Sequence, residues 1–181
     1  MEIRFSQKIC VLGERSARNK GLIRQYLSNG RYQRFDDRYL STIGLKISRK
    51  SMMVPSHKLV TLTMLIWDLA EDEEFRQVRR AYFRGAGAAI LVCDLNRRDA
   101  LIQLKNNVAE LRRIGPNIPL VFVVYEADLM NHSQCAIDDV KKLARELNAP
   151  LNLIGSSMTN DDIDTLFYNL GKRLVAKLHP V

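Results

Sequence analysis

The chain has 181 residues, 46% hydrophobic and 27% charged, with 9 glycines and 5 prolines. That length holds one domain with a substantial core, and the composition excludes collagen, an extended disordered chain and a proline-rich linker. The net charge of +8 lies entirely in residues 1–50, where twelve Lys/Arg stand against four Asp/Glu, while residues 51–181 hold sixteen of each.

Strand and helix patterns alternate along the chain. Lys8–Leu12 reads as a short apolar strand that ends at Gly13, and residues 19–27 as a helix. Arg31–Thr42 is polar and reads as a loop. Gly44–Val54 and Lys58–Trp67 read as a strand pair joined near Ser51–His57, with Val60, Leu62, Met64 and Ile66 alternating on one face. Glu73–Tyr82 is predicted helical, and Ala88–Cys93 reads as a strand covered on both faces. Asp99 opens a helix whose face is Leu101, Leu104, Val108, Leu111 and Ile114, stopped by Gly115-Pro116. A buried strand, Leu120–Val124, precedes a helix marked by Ile137, Val140, Ala144 and Leu147. Leu151–Ile154 is the last strand. Asn160-Asp161-Asp162 starts the final helix, with Ile163, Leu166, Phe167, Leu170 and Leu174 in line. Six strands and about five helices in alternation predict one α/β domain over residues 1–181, three layers deep, with a mostly parallel sheet. Ligands in such folds meet the carboxyl ends of the strands, where Gly13, Asp68, Asp94, Asp128 and Ser156 fall.

Cys10, Cys93 and Cys135 are odd in number and far apart, so they are expected to be reduced thiols in a cytosol-like compartment, holding neither disulfide nor zinc. No apolar run reaches the roughly 18 residues of a membrane span. The N-terminal residues lack the apolar centre of a signal peptide, and Lys177–Val181 offers no cysteine for a lipid anchor. A soluble cytoplasmic protein is expected.

The order of segments resembles the Ras superfamily of small GTPases, and within it the Rab branch. The run Trp67–Asp94, WDLAEDEEFRQVRRAYFRGAGAAILVCD, is similar to the Rab pattern WDTAGQERF…YYRGAxGxxLVYD. Tyr39–Gly44 (YLSTIG) is similar to the end of the Rab switch I segment, and Asn160–Phe167 follows the N-I-x-x-L-F pattern of the last helix. The resemblance spans about residues 6–176 and implies the Ras-like P-loop NTPase fold, with a GTP or GDP site and Mg²⁺. It places a vestigial nucleotide site on Gly13, Lys20, Thr42, Asp68, Asp128 and Ser156.

The motifs themselves depart from the family. A phosphate loop GxxxxGK[ST] uses its glycines to wrap backbone N–H groups round phosphate, its lysine to neutralise charge and its hydroxyl to hold Mg²⁺. Here the segment is Gly13-Glu14-Arg15-Ser16-Ala17-Arg18-Asn19-Lys20, with Arg18, Asn19 and Lys20 in place of glycine, lysine and hydroxyl. A shift of one residue makes Lys20 the phosphate lysine, but Gly21 then follows it and the hydroxyl is still missing. DxxG followed by glutamine becomes Asp68-Leu69-Ala70-Glu71-Asp72, and the four carboxylates of residues 71–74 would repel a γ-phosphate. NKxD, which reads guanine, becomes Tyr125-Glu126-Ala127-Asp128, and SAK becomes Ser156-Ser157-Met158. A charge-assisted hydrogen bond is worth about 1.5–3 kcal/mol net, so three such losses remove several powers of ten in affinity.

Each retained residue also has a plain structural role. Gly13 suits a tight turn, Thr42 an ordinary loop, and Asp128 the cap of a turn. Asp68 can pair internally with Lys20 or Arg18, and Arg18 is expected in the phosphate cavity or paired with an acid. Trp67 is either a partner's anchor or a packed aromatic, with partial exposure expected. The pairs Arg79-Arg80, Arg97-Arg98, Arg112-Arg113 and Lys141-Lys142 read as solvated helix faces. Arg24, Arg31, Arg34, Arg38, Lys46, Arg49 and Lys50 form a basic face for solvent, for an acidic protein partner at the switch surface, or for an anionic membrane. Nothing supports base readout, so no nucleic-acid partner is expected. These readings converge on a Rab-like pseudo-GTPase with no catalytic residue, no resident metal and no cofactor, acting through a protein partner in vesicle traffic or as a Rab mimic. The alternatives are an atypical GTP/GDP-binding GTPase with slow hydrolysis and a basic membrane scaffold.

Overall fold

A computed structural model describes residues 3–13, 17–28, 36–40, 45–55, 59–69, 76–93, 99–125, 137–154 and 159–178. The strands are β1 (Ile3–Leu12), β2 (Asp36–Leu40), β3 (Leu45–Pro55), β4 (Leu59–Leu69), β5 (Ala86–Cys93), β6 (Leu120–Tyr125) and β7 (Leu151–Ile154). The helices are α1 (Ala17–Ser28), α2 (Arg76–Tyr82), α3 (Ala100–Ile114), α4 (Ile137–Glu146) and α5 (Asn160–Leu178). The sheet runs β2-β3-β4-β1-β5-β6-β7. Its five strands from β4 to β7 are parallel, and β2 and β3 are antiparallel additions at one edge. This is the expected three-layer α/β fold, with all six predicted strands and five helices.

Two elements correct the sequence reading. Residues 36–40, read as loop, form β2 against β3, in register Asp36↔Arg49 to Leu40↔Leu45. A polar segment makes a poor central strand, but at an edge the neighbouring strand alone can supply the ladder. Strand β1 also begins at Ile3, five residues earlier than expected, because β4 extends alongside it from Ile3↔Val60. Ile3 and Phe5 pack on the core while Arg4 and Ser6 are exposed, a half-buried alternation too short to be decisive alone.

The sheet has two cores. On one side α1 and α5 pack together, and α5 lies on β3, β4 and β5, enclosing Ile9, Val11, Leu62, Met64, Ile66, Ile90 and Phe167. On the other, α3 packs on β5 and on α4, over Cys10, Leu12, Leu91, Cys93, Leu104 and Phe122. Cys93 is buried, as read, and so is Cys10; Cys135 lies outside the described residues.

Local chemistry sets the helix ends. Thr159 donates its N–H and its hydroxyl to Asp162 Oδ2, at 2.8 and 2.9 Å, closing the first turn of α5. Helix α4 ends with Asn148 at φ +51°, where the Asn148 N–H donates to Arg145 O and the Ala149 N–H to Ala144 O.

Candidate functional site

Because β4, β1, β5, β6 and β7 are parallel, their carboxyl ends share one pole. Gly13 leaves β1 there at φ +145°. A Cβ on it would lie 2.2 Å from the carbonyl oxygen of Val92 on β5, so the close approach of these two chains requires glycine. Asp68 stands next to the end of β4, half-buried, in register with Val11 on one side and Lys46 on the other. An opposite charge directly across a ladder contributes roughly 0.2–1 kcal/mol. Of the six candidate residues, the structure thus brings Gly13 and Asp68 to one pole on neighbouring strands. Thr42, Asp128 and Ser156 lie outside the described residues, as does the side chain of Lys20. The same holds for the side chains of Arg15 and Arg18 and for residues 71–74 and 126. The chain leaves β6 at Tyr125 and β7 at Ile154 on the same pole. Among the described residues, no group of three His, Cys, Asp or Glu side chains can hold a metal.

Beside this pole the sheet carries an aromatic patch. Trp67 is half-buried, as read, and meets Tyr82 edge to face at 5.9 Å. Ile47, its partner across β3, is half-buried too. Lys8 Nζ stands 3.5 Å from the centroid of the Trp67 ring and donates to Arg84 O at 3.0 Å. Burial holds Lys8 below the usual lysine range, partly offset by neighbouring Cys10. Cys10 itself is turned toward Tyr82 O, and burial pushes its thiol up to about 11, with Lys8 pulling the other way, so it is not a nucleophile at neutral pH. The Trp67 Nε1–H is buried and meets no acceptor among the described residues.

Side chains alternate across a strand, so the patch continues up the hairpin: Arg49, Ser51, Met53 and Pro55 on β3 share a side with Leu65, Thr63, Thr61 and Leu59 on β4. The Ser51 and Thr63 hydroxyls bond at 2.9 Å across it. Met53 and Leu59, 58% and 54% exposed, lie at its outer end. Of this patch the sequence reading singles out Trp67 and, within the basic face, Arg49. The period-two run Ile47, Arg49, Ser51, Met53 was the available signal, but alternation does not say which face a helix covers.

Two basic residues are not where the sequence reading put them. Lys50, placed on the basic face, is 0% exposed. Its ammonium donates to the main-chain carbonyl of Tyr26 on α1, stands 4.0 Å from that ring's centroid, and lies 3.9 Å from Asp164 Oδ1 on α5. Tyr26 stacks on Phe167 at 3.6 Å, and its hydroxyl faces the sulfurs of Met52 and Met64. Burial lowers the Lys50 pKa, and Asp164 raises it back in part. The cause is strand parity: Lys50 follows Arg49 and must point the opposite way, into the α1/α5 side. Arg79 is likewise buried, whereas Arg80 is exposed and pairs with Glu110 at 2.9 Å.

Residues 8–176 match the model of the Ras family. Ras-related protein Rab-21 of Bos taurus is 28% identical over 172 residues, 94% of this chain and 74% of its own length. Human Ras-related protein Rab-22A is 29% identical over 170 residues, 92% of this chain and 82% of its own. GTP-binding protein ypt4 of Schizosaccharomyces pombe is 24% identical over 173 residues, 94% and 72%.

Proposed function

This chain belongs to the Ras family, as a Rab-like small GTPase, and on that premise we propose that it is a pseudo-GTPase that works by holding a protein partner. The carrying observation is the open face of β3 and β4. Ile47, Trp67 and Tyr82 stand half-buried next to the nucleotide pole, and the surface runs on through Leu65 to exposed Met53 and Leu59. Lys8, Arg49 and Arg4 give it positive charge, which suits an amphipathic, acidic partner segment. Packed aromatics in a polar rim are the usual anchors of such interfaces. Vesicle traffic, or mimicry of a Rab protein, is the setting that the resemblance implies.

The family normally binds GTP or GDP with Mg²⁺. The Gly13 turn fits the start of a phosphate cradle, and Asp68 fits the place of a carboxylate acting on Mg²⁺. The remaining donor set does not fit: position 20 offers an ammonium where Mg²⁺ needs a hydroxyl, and Glu71, Asp72 and Glu126 replace a glycine, a glutamine and a lysine. No hydrolytic step is therefore derived. Acid extraction of the purified protein should release no nucleotide, and calorimetry with GTP or GDP and Mg²⁺ should show no binding at micromolar concentrations. Mg²⁺-dependent binding in that range would overturn the pseudo-GTPase reading in favour of an atypical GTPase. Salt-sensitive binding to anionic liposomes, lost when Arg31, Arg34 and Arg38 become Ala, would favour the membrane scaffold. Among the described residues, no helix is long and apolar enough to cross a membrane.

A further inference from the structure

At the opposite pole, where the parallel strands begin, α4, β7 and α5 enclose a groove of about 510 Å³. Ala144, Ala149, Pro150 and Leu151 form an apolar floor, and Lys141, Arg145 and Arg173 stand round it. No acidic side chain lines it among the described residues.

The walls are built in. Asn148 takes the left-handed conformation at the end of α4, and the Ala149 N–H returns to Ala144 O at 2.9 Å, so the turn bounding the groove is closed by its own backbone. The Pro150 carbonyl accepts the Phe122 N–H at 2.8 Å, tying the floor to β6. Arg173 donates to Leu120 O at 3.3 Å, which fixes its guanidinium near the rim. Arg112, at the end of α3, donates to Leu147 O at 3.3 Å and adds positive charge behind the α4 wall. The nearest offset is Asp138, 3.9 Å from Lys141, but both are largely exposed, and an exposed pair of that kind is weak.

We propose that this groove binds an acidic peptide segment, seating one or two apolar side chains on the Ala144–Leu151 floor and its flanking carboxylates on Lys141, Arg145 and Arg173. Charge complementarity selects an acidic occupant, and the concave shape favours a peptide, whose side chains can enter it, over a flat bilayer. The volume falls within the range of small-molecule pockets, room enough for one or two side chains. A rigid wall lowers the ordering cost on the protein's side. The site lies at the β7 edge of the sheet, across it from the β3–β4 face, so it goes beyond the partner face proposed above.

The test uses the full chain and fluorescein-labelled octapeptides with a central Leu-Phe, Leu-Leu or Ile-Trp pair flanked by glutamates, beside versions with glutamine for glutamate. Anisotropy should show a glutamate peptide binding tighter than about 1 mM. The glutamine version and the Lys141→Glu/Arg145→Glu variant should each weaken binding at least tenfold. Both side chains are exposed, so that variant keeps its core, and Arg173→Gln provides a second, milder change expected to weaken binding several-fold. Binding lost in Trp67→Ala and kept in Lys141→Glu/Arg145→Glu would place the peptide on the open sheet face and overturn the proposal. Absence of binding by every glutamate peptide overturns the proposal, as does equal binding of the glutamine versions or indifference to Lys141→Glu/Arg145→Glu. Binding to phosphatidylserine vesicles without peptide binding reassigns the groove to membrane. A concentration-dependent dimer without peptide binding reassigns it to a second copy of the chain.

Discussion

The β3–β4 hairpin has two faces made from the same strands, and they do opposite things. On one, Lys50, Met52, Val54, Val60, Leu62 and Met64 are buried under α1 and α5. On the other, Arg49, Met53 and Leu59 stand in water, and Trp67 and Leu65 are half-covered. Neighbouring residues thus meet different fates: Arg49 is exposed and Lys50 has no exposed surface, although both are cations. Parity along a strand, together with where the helices lie, decides burial more strongly than residue type does. The covered face tolerates a lysine because partners such as Tyr26 and Asp164 meet its ammonium.

The comparison is broken most severely at Lys50. Lys50→Ala removes the ammonium 3.9 Å from buried Asp164 and should cost about 3–5 kcal/mol in urea unfolding, while Lys50→Met with Asp164→Leu should recover most of that loss or exceed it. A cost below about 1 kcal/mol would mean that the covered face is as forgiving as the bare one.

Cys10 marks where the open side closes, under Tyr82. Its folded pKa of about 11 lies above the ordinary thiol value of 9.0, so between those values the folded state holds a proton that the unfolded state releases. The stabilisation is complete below pH 9 and lost as pH rises through about 11, a change on the order of 2–3 kcal/mol. Unfolding of the native chain beside Cys10→Ala across that range should show their difference shrinking with pH; a constant difference would place the thiol in contact with water.

Trp67→Ala should cost about 2 kcal/mol of stability, since part of the indole already meets water, yet abolish binding of a partner that uses this face. The smallest effect belongs to the outer end: Met53→Ser and Leu59→Ser should each shift stability by less than about 0.5 kcal/mol. A larger loss at either would mean that this end of the face is already covered in solution.

Much of the fold was legible in the residues. Runs such as Ala88–Cys93 and Leu120–Val124 are too apolar to lie anywhere but in a covered sheet, and the spacing of Leu104, Val108 and Leu111 leaves one helix face to bury. Gly13 was legible as a turn, though not its reason, which is the approach of the Val92 carbonyl from a distant strand. Residues 36–40 were illegible because an edge strand depends on its neighbour's ladder rather than on its own pattern.

The family, the alternation of elements, the placing of net charge in residues 1–50 and the substitutions in four nucleotide motifs follow from residue identity and local order alone. Packing between distant segments settles which cations face water and which are buried, that Lys8 lies on Trp67, and that Lys141, Arg145 and Arg173 surround one apolar floor. Those facts arise where segments far apart in the chain meet, and no local pattern carries the position of a helix packed on the other end of the sequence.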